Sequence, residues 1–280
     1  TSIGGEKGGV AATSAVREGH SDVRMVSIED SGRSTGEYEM FQDLLAQVFG
    51  FDQVTDSDRT TTAHIHSGLI DVQKGDCVVI DCHSAGVVKG LGVAEAILRE
   101  TDADIHAFVN QMGVPTDQTW RLARSGKFLL NALPHTPKAL WQVLTQRGAM
   151  DLMNDPDAYA RAMFGLKKAT PETDEHRKFA VVDSALAFLS STFHSKTKHL
   201  AGLVDKYGDR IKNATIVTVV AGQENLLPDA TQAQSKTYKE LGMRERKVIV
   251  PTTHSIPRHL NPSQSQGFSN AFSYAFDLAL

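Results

Sequence analysis

The segment Lys7-Gly8-Gly9-Val10-Ala11-Ala12-Thr13-Ser14 carries most of the residue types of a phosphate-binding loop. Such a loop has the form G-x-x-x-x-G-K-[ST]: backbone N–H groups cradle phosphates, a lysine reaches the β- and γ-phosphates, and a hydroxyl ligates Mg²⁺. Backbone amides of Gly8 to Thr13 would wrap a phosphate at the start of a helix, whose dipole also favours negative charge. Ala11 and Ala12 stand where a glycine and a lysine belong. Loss of the lysine removes a cation worth roughly several kcal/mol to the transition state, and the Cβ of Ala11 restricts a turn that glycine makes freely. Weak or absent hydrolysis is the expectation.

A second chemistry is metal ligation. His64-Ile65-His66 and Asp81-Cys82-His83 have spacings that could hold a catalytic divalent ion, with His254 and His259 as later contributors. This reading is a metal-dependent hydrolase built on His64, His66, Asp81 and His83. Against it, eleven histidines in 280 residues produce such pairs by chance, and residues 64 to 66 fall in a polar stretch. A surface pair is the competing assignment. Lys196, Lys198, Lys206, Arg210 and Lys212 form a modestly basic stretch interrupted by Asp205 and Asp209, which reads as a solvated helix face rather than a DNA-binding patch.

These residues need a scaffold, and six short runs rich in Val and Ile have the look of buried parallel strands. They are Ser2-Ile3, Val23 to Ile28, Cys77 to Ile80, Ile105 to Val109, Ala214 to Ala221 and Lys247 to Val250. The second ends in Glu29-Asp30, the third in Asp81, the fifth in Gly222-Gln223 and the sixth in Pro251. Between them, Met40 to Phe49 and Val93 to Leu98 place apolar residues at helical spacing. Alternation of strand and helix predicts an α/β fold, a mostly parallel sheet with helices on both faces. One domain over residues 1–280 is expected, with a helical insertion at 125–212. Within it Phe179 to Phe193 reads as an amphipathic helix, and the polar run Ala169 to Glu175, with Pro171, reads as a surface loop.

Taken together, the loop and the strand ends resemble the ParA and MinD family of positioning ATPases, whose deviant loop is K-G-G-x-G-K-[ST]-[ST]. The resemblance implies a P-loop NTPase-like fold binding ATP or ADP with Mg. It gives Lys7 the role of a signature lysine reaching the partner's nucleotide across a dimer, and Asp30, with Glu29 close behind, that of positioning the attacking water. Gly8, Gly9, Val10, Ala11, Ala12, Thr13 and Ser14 would surround the phosphates. Thr13 and the Walker B-like Asp81 would hold Mg²⁺, Gln223 would read the base, and Pro251 would close the adenine pocket. Only nine residues separate Thr13 from Val23, so the first helix would be shorter than the family's. The implied function is a nucleotide-dependent switch in a partition, mobilisation or positioning system, a homodimer with nucleotide, with a partner protein and nonspecific DNA as associates. The alternative within this fold is a pseudo-ATPase scaffold acting through protein partners without nucleotide.

Composition sets outer bounds. With 41% hydrophobic and 22% charged residues the chain can bury a sizeable core, and a net charge of −4 argues against a protein built wholly around nucleic acid. No apolar run reaches the roughly 18 residues that a transmembrane helix needs, and the start reads as that of a cytoplasmic chain. Cys77 and Cys82, in one apolar run, are expected to be buried free thiols.

Overall fold

The computed structural model describes residues 53–83, 86–111, 155–157, 159–160, 166–178, 196–222, 230–250 and 277–278. In chain order the elements are α1 (Gln53–His66), β1 (Cys77–His83), α2 (Gly86–Glu100), β2 (Asp104–Gln111), α3 (Pro171–Lys178), α4 (Lys196–Tyr207), α5 (Asp209–Lys212), β3 (Thr215–Ala221), α6 (Ala230–Glu240) and β4 (Arg244–Val250).

The four strands form one sheet in the order β1-β2-β3-β4, and every neighbouring pair is parallel. Parallel neighbours cannot be joined by a tight turn, so each crossover carries helix: α2 between β1 and β2, α3 to α5 between β2 and β3, α6 between β3 and β4. An α/β fold with a parallel sheet is therefore present as the alternating pattern requires. Four of the six runs read in the sequence as strands appear as β1 to β4, while Ser2-Ile3 and Val23 to Ile28 lie outside the described residues. β2 and β3 are buried at consecutive positions, as strands covered on both faces must be.

The core is centred on the face of the sheet against α2. Val87, Leu91, Ala94, Ile97 and Leu98 of that helix pack on Val78, Ile80, Ile105, Phe108 and Ile216, with Leu200 and Leu203 of α4 joining them. Burial of each large side chain contributes roughly 1.5–3 kcal/mol. The approach of α2 to β1 is close enough that a Cβ at Gly90 would run into the Sγ of Cys82 and crowd Ile80. Glycine is needed there for lack of room rather than for backbone freedom.

At the amino end of the sheet the polar groups are tied to structure. Arg210 donates to the carbonyls of Leu98 (2.9 Å), Thr101 (2.8 Å) and Ala103 (2.6 Å), satisfying acceptors where α2 ends and the chain turns into β2. Arg99 grips both oxygens of Asp58 at 3.1 and 2.8 Å and also donates to Thr62, which fastens α1 along α2.

Several sequence expectations are corrected here. The run Ala169 to Glu175 is not a loop throughout: Pro171 opens α3, and Thr170 and Thr173 exchange backbone-to-hydroxyl bonds of 2.8 and 3.3 Å as a capping pair. Proline is favoured at the first helical position because its missing N–H would be unpaired there anyway. The basic stretch is not wholly a solvated face, since Lys196 is buried and Arg210 is committed to carbonyls. Both cysteines are free thiols, but Cys77 is exposed and only Cys82 is buried. Among the described residues no helix is long and apolar enough to cross a membrane.

Candidate active site

Ligands of open α/β sheets bind beyond the carboxyl ends of the strands. In this sheet those ends are Asp81-Cys82-His83 on β1, Asn110-Gln111 on β2, Ala221 on β3 and Val250 on β4. The register aligns Cys82 with Asn110, Asn110 with Thr218, and Thr218 with Lys247, so one polar row crosses the sheet just below its edge.

The two faces of this edge differ in chemistry. On the face toward α2, Cys82 is buried, and burial raises its thiol well above the usual range. That thiol is a packing group rather than a nucleophile. Asn110 Nδ2 donates to Tyr238 Oη at 2.8 Å, and burial also pushes the tyrosine hydroxyl up, so it stays protonated. Asn110 Oδ1 is buried with no hydrogen-bond partner among the described residues. Asn110, Lys196 and Tyr238 line a small cavity of about 10 Å³, room for a single water.

On the opposite face, Gln111 Nε2 donates to Asp81 Oδ1 at 2.7 Å, joining the ends of β1 and β2. Gln111 is buried and its Oε1 has no partner among the described residues. Asp81 is solvent-exposed, yet desolvation by the surrounding protein pushes its carboxyl up to about 6, with the bonds from Gln111 and the Cys82 backbone pulling the other way. Water reaching the carboxyl offsets part of that push. Back on the α2 face, farther along the sheet, Thr218 and Ser235 both donate to Glu245 Oε1, at 2.7 and 3.1 Å, fixing β4 against β3 and α6.

Of the residues selected from the sequence, Asp81 lies at this edge. Lys7, Gly8, Gly9, Val10, Ala11, Ala12, Thr13, Ser14, Asp30, Gln223 and Pro251 lie outside the described residues, as do His254 and His259. The metal reading is not assembled. His64 and His66 fall in the last turn of a helix, where residues two apart diverge around the axis. His66 Nε2 meets Glu100 Oε2 at 3.1 Å at the far end of α2, and 15 helical residues span about 22 Å. Asp81 and His83 stand at the other end of that helix. Among the described residues no three His, Cys, Asp or Glu side chains are grouped to hold an ion. Reading the sequence for charge missed Asn110, Gln111 and Tyr238. The signal available was Asn-Gln closing a run of apolar residues at a strand's carboxyl end.

Comparison with known proteins decides the fold type. No family model matches the chain, and no curated protein sequence matches it. Among solved structures, MenH from S. aureus superposes with a TM-score of 0.53 at 10% identity, over 96% of this chain and 89% of MenH. MenH is an α/β hydrolase. The fold is similar to that of an α/β hydrolase. An uncharacterized protein from Bacillus cereus ATCC 10987 matches with a TM-score of 0.42 at 13% identity, over 95% of this chain. The chain spans about half, 54%, of that protein's length.

The likeness to MenH corrects the resemblance to the ParA and MinD P-loop ATPases, and with it the assignments of a P-loop, nucleotide binding and plasmid partition. The physical reason lies in β1. Its terminal aspartate was taken for the Mg²⁺-holding end of a Walker B strand, but its carboxylate accepts the Gln111 amide. β1 and β2 are also direct hydrogen-bonded neighbours, leaving no space for a loop-bearing strand between them.

Proposed function

We propose that the chain is a serine hydrolase that cleaves an acyl bond, with Ser84 as nucleophile. The observation that carries this reading is the passage from β1 to α2. The strand ends at His83, the helix begins at Gly86, and Ser84-Ala85 is the whole connection between them. The sequence across it is Cys82-His83-Ser84-Ala85-Gly86, a small residue on either side of a serine two positions away. An α/β hydrolase presents its nucleophile on such a strand-to-helix turn, written G-x-S-x-G, with Oγ above the sheet. Small flanking residues are required because strand and helix converge there, and the tight fit of Gly90 on Cys82 fits that convergence.

Chain order supplies the partners. In this fold the triad runs serine, then acid, then histidine. Glu224 and Asp229 are the carboxylates that follow β3, and His254 is the histidine four residues after β4. In the reaction His254 takes the Ser84 hydroxyl proton as Oγ attacks the acyl carbonyl, and the leaving alcohol or thiol receives that proton as its bond to the carbonyl breaks. The backbone N–H of Ala85, the residue after the nucleophile, would face the developing oxyanion. Water, activated by the same histidine, then hydrolyses the acyl-serine. Fold alone does not establish activity, so the reading stands on the turn and on the chain order.

Hydrolysis of short p-nitrophenyl esters tests it. Turnover above buffer should fall by about 10³-fold or more in Ser84→Ala and in His254→Ala. Equal turnover by wild type and Ser84→Ala, or none by either, counts against the assignment.

A further inference from the structure

We infer that the small cavity where β2, α4 and α6 meet is a binding site for a single resident water, held by the Asn110 carboxamide and serving as the polar junction of those three elements. The walls are mostly apolar, with Leu91, Phe108 and Ile216 among them, and every residue that lines the space is buried. A cavity lined only by hydrocarbon stays dry, whereas a buried polar group that lacks a partner draws water in.

Asn110 supplies that group. It is 3% exposed, its Nδ2 donates to Tyr238 Oη at 2.8 Å, and its Oδ1 has no hydrogen-bond partner among the described residues. A buried amide oxygen left unmet costs about fivefold or more in the folding equilibrium. Exchanging the amide's oxygen and nitrogen does not remove the problem, because Tyr238 Oη would then donate to the oxygen and the NH₂ would be left over. The space that Asn110 lines measures about 10 Å³, enough for one water and too little for an organic ligand. A water there donates to Asn110 Oδ1, with the Tyr238 hydroxyl and the Lys196 side chain as the other polar groups of the wall. Asn110 belongs to β2, Lys196 opens α4 and Tyr238 lies on α6, so the water joins elements that are far apart in the chain. None of the proposed catalytic residues takes part.

Magnetic relaxation dispersion of water ²H and ¹⁷O, which counts long-lived internal waters, tests the site on the folded full chain. Asn110→Leu removes the amide and fills the space, while Val87→Ile adds a methyl to the apolar wall and leaves the amide in place. Each should hold about one long-lived water fewer than wild type. In urea titrations Val87→Ile should also show a folding equilibrium constant about fivefold lower, because the added methyl takes the water's place and strands the Asn110 amide. A dry cavity would instead gain from being filled. An unchanged water count in Asn110→Leu, or a Val87→Ile chain at least as stable as wild type, overturns the site. Should Asn110→Leu fail to fold, the water count in Val87→Ile decides. A high-resolution crystal structure reads the site directly: a water peak within about 3 Å of the amide atom of Asn110 that does not face Tyr238 is expected, and an ordered Asn110 without that peak removes the proposal.

Discussion

The two ends of the sheet use polar residues in opposite ways. At the amino end lies the roomier concavity, about 440 Å³, bordered by Ile70, Asp71, Lys74, Glu100 and Asp102. Of the charged groups bordering it, Glu100 is held by Arg99 and His66, and nearby Arg99 and Arg210 fasten elements through Asp58 and three carbonyls. Arg99 and His66 hold the Glu100 carboxyl below its ordinary range. At the carboxyl end the described residues line a small cavity of about 10 Å³, and two adjacent carboxamides each keep one buried oxygen unpartnered among the described residues. Asp81, the carboxylate there, is displaced upward to about 6. Size of a hollow is by itself a poor guide to chemistry. Incompletely satisfied polar groups at strand ends are the better one.

The sharpest break in this comparison comes from paired substitutions, one at each end. Ser84→Ala should remove ester hydrolysis by about 10³-fold or more, whereas Glu100→Gln should leave kcat within about twofold. A Glu100 variant as inactive as the Ser84 variant would reverse the roles of the two ends.

Stability should show the converse. Arg210→Ala strips charged donors from Leu98, Thr101 and Ala103 and should lower unfolding free energy by about 3 kcal/mol in urea titrations, with activity per folded molecule unchanged. A loss under about 1 kcal/mol would mean that water replaces the guanidinium. Gly90→Val tests the tight seam beneath the proposed turn and should cost about 2 kcal/mol, because the added side chain meets Cys82 Sγ and Ile80 Cγ2.

The smallest effect expected is that of pH on Asp81. Its folded-state value, about 6, lies above the ordinary 3.8. From about pH 4 to 6 the folded chain therefore keeps a proton that the unfolded chain has released. This group's contribution is fully present below that window and is lost as pH rises through it. Urea unfolding at pH 4, 5, 6 and 7 should show Asp81→Asn gaining on wild type across the window and holding level beyond it. Parallel curves would place Asp81 in ordinary solvent.

Much of the scaffold was legible in the sequence because buried parallel strands leave a plain trace. Cys77 to Ile80, Ile105 to Val109, Ala214 to Ala221 and Lys247 to Val250 all appear as strands. Composition could not tell that Pro171 starts a helix rather than interrupting one, since the deciding feature is the hydroxyl exchange between Thr170 and Thr173. Nor could it tell that Lys196 is buried while its neighbours in the basic run are not. The proposed nucleophile was passed over in the sequence for a more instructive reason. Val78-Val79-Ile80-Asp81 satisfies the pattern of an apolar strand ending in an acid, which many α/β proteins share, and attention stopped at the acid. Three residues on in the sequence, the proposed nucleophile Ser84 is flanked at two positions' distance by Cys82 and Gly86. A hydrophobic run ending in an acid specifies only that a strand has reached the sheet edge.

Mass-spectrometric mapping of a fluorophosphonate adduct tests the central claim most directly. The account predicts a single adduct on the peptide containing Ser84, formed by the folded chain and abolished by denaturation or by His254→Ala. An unmodified folded chain, or an adduct on another serine that persists in Ser84→Ala, would contradict it.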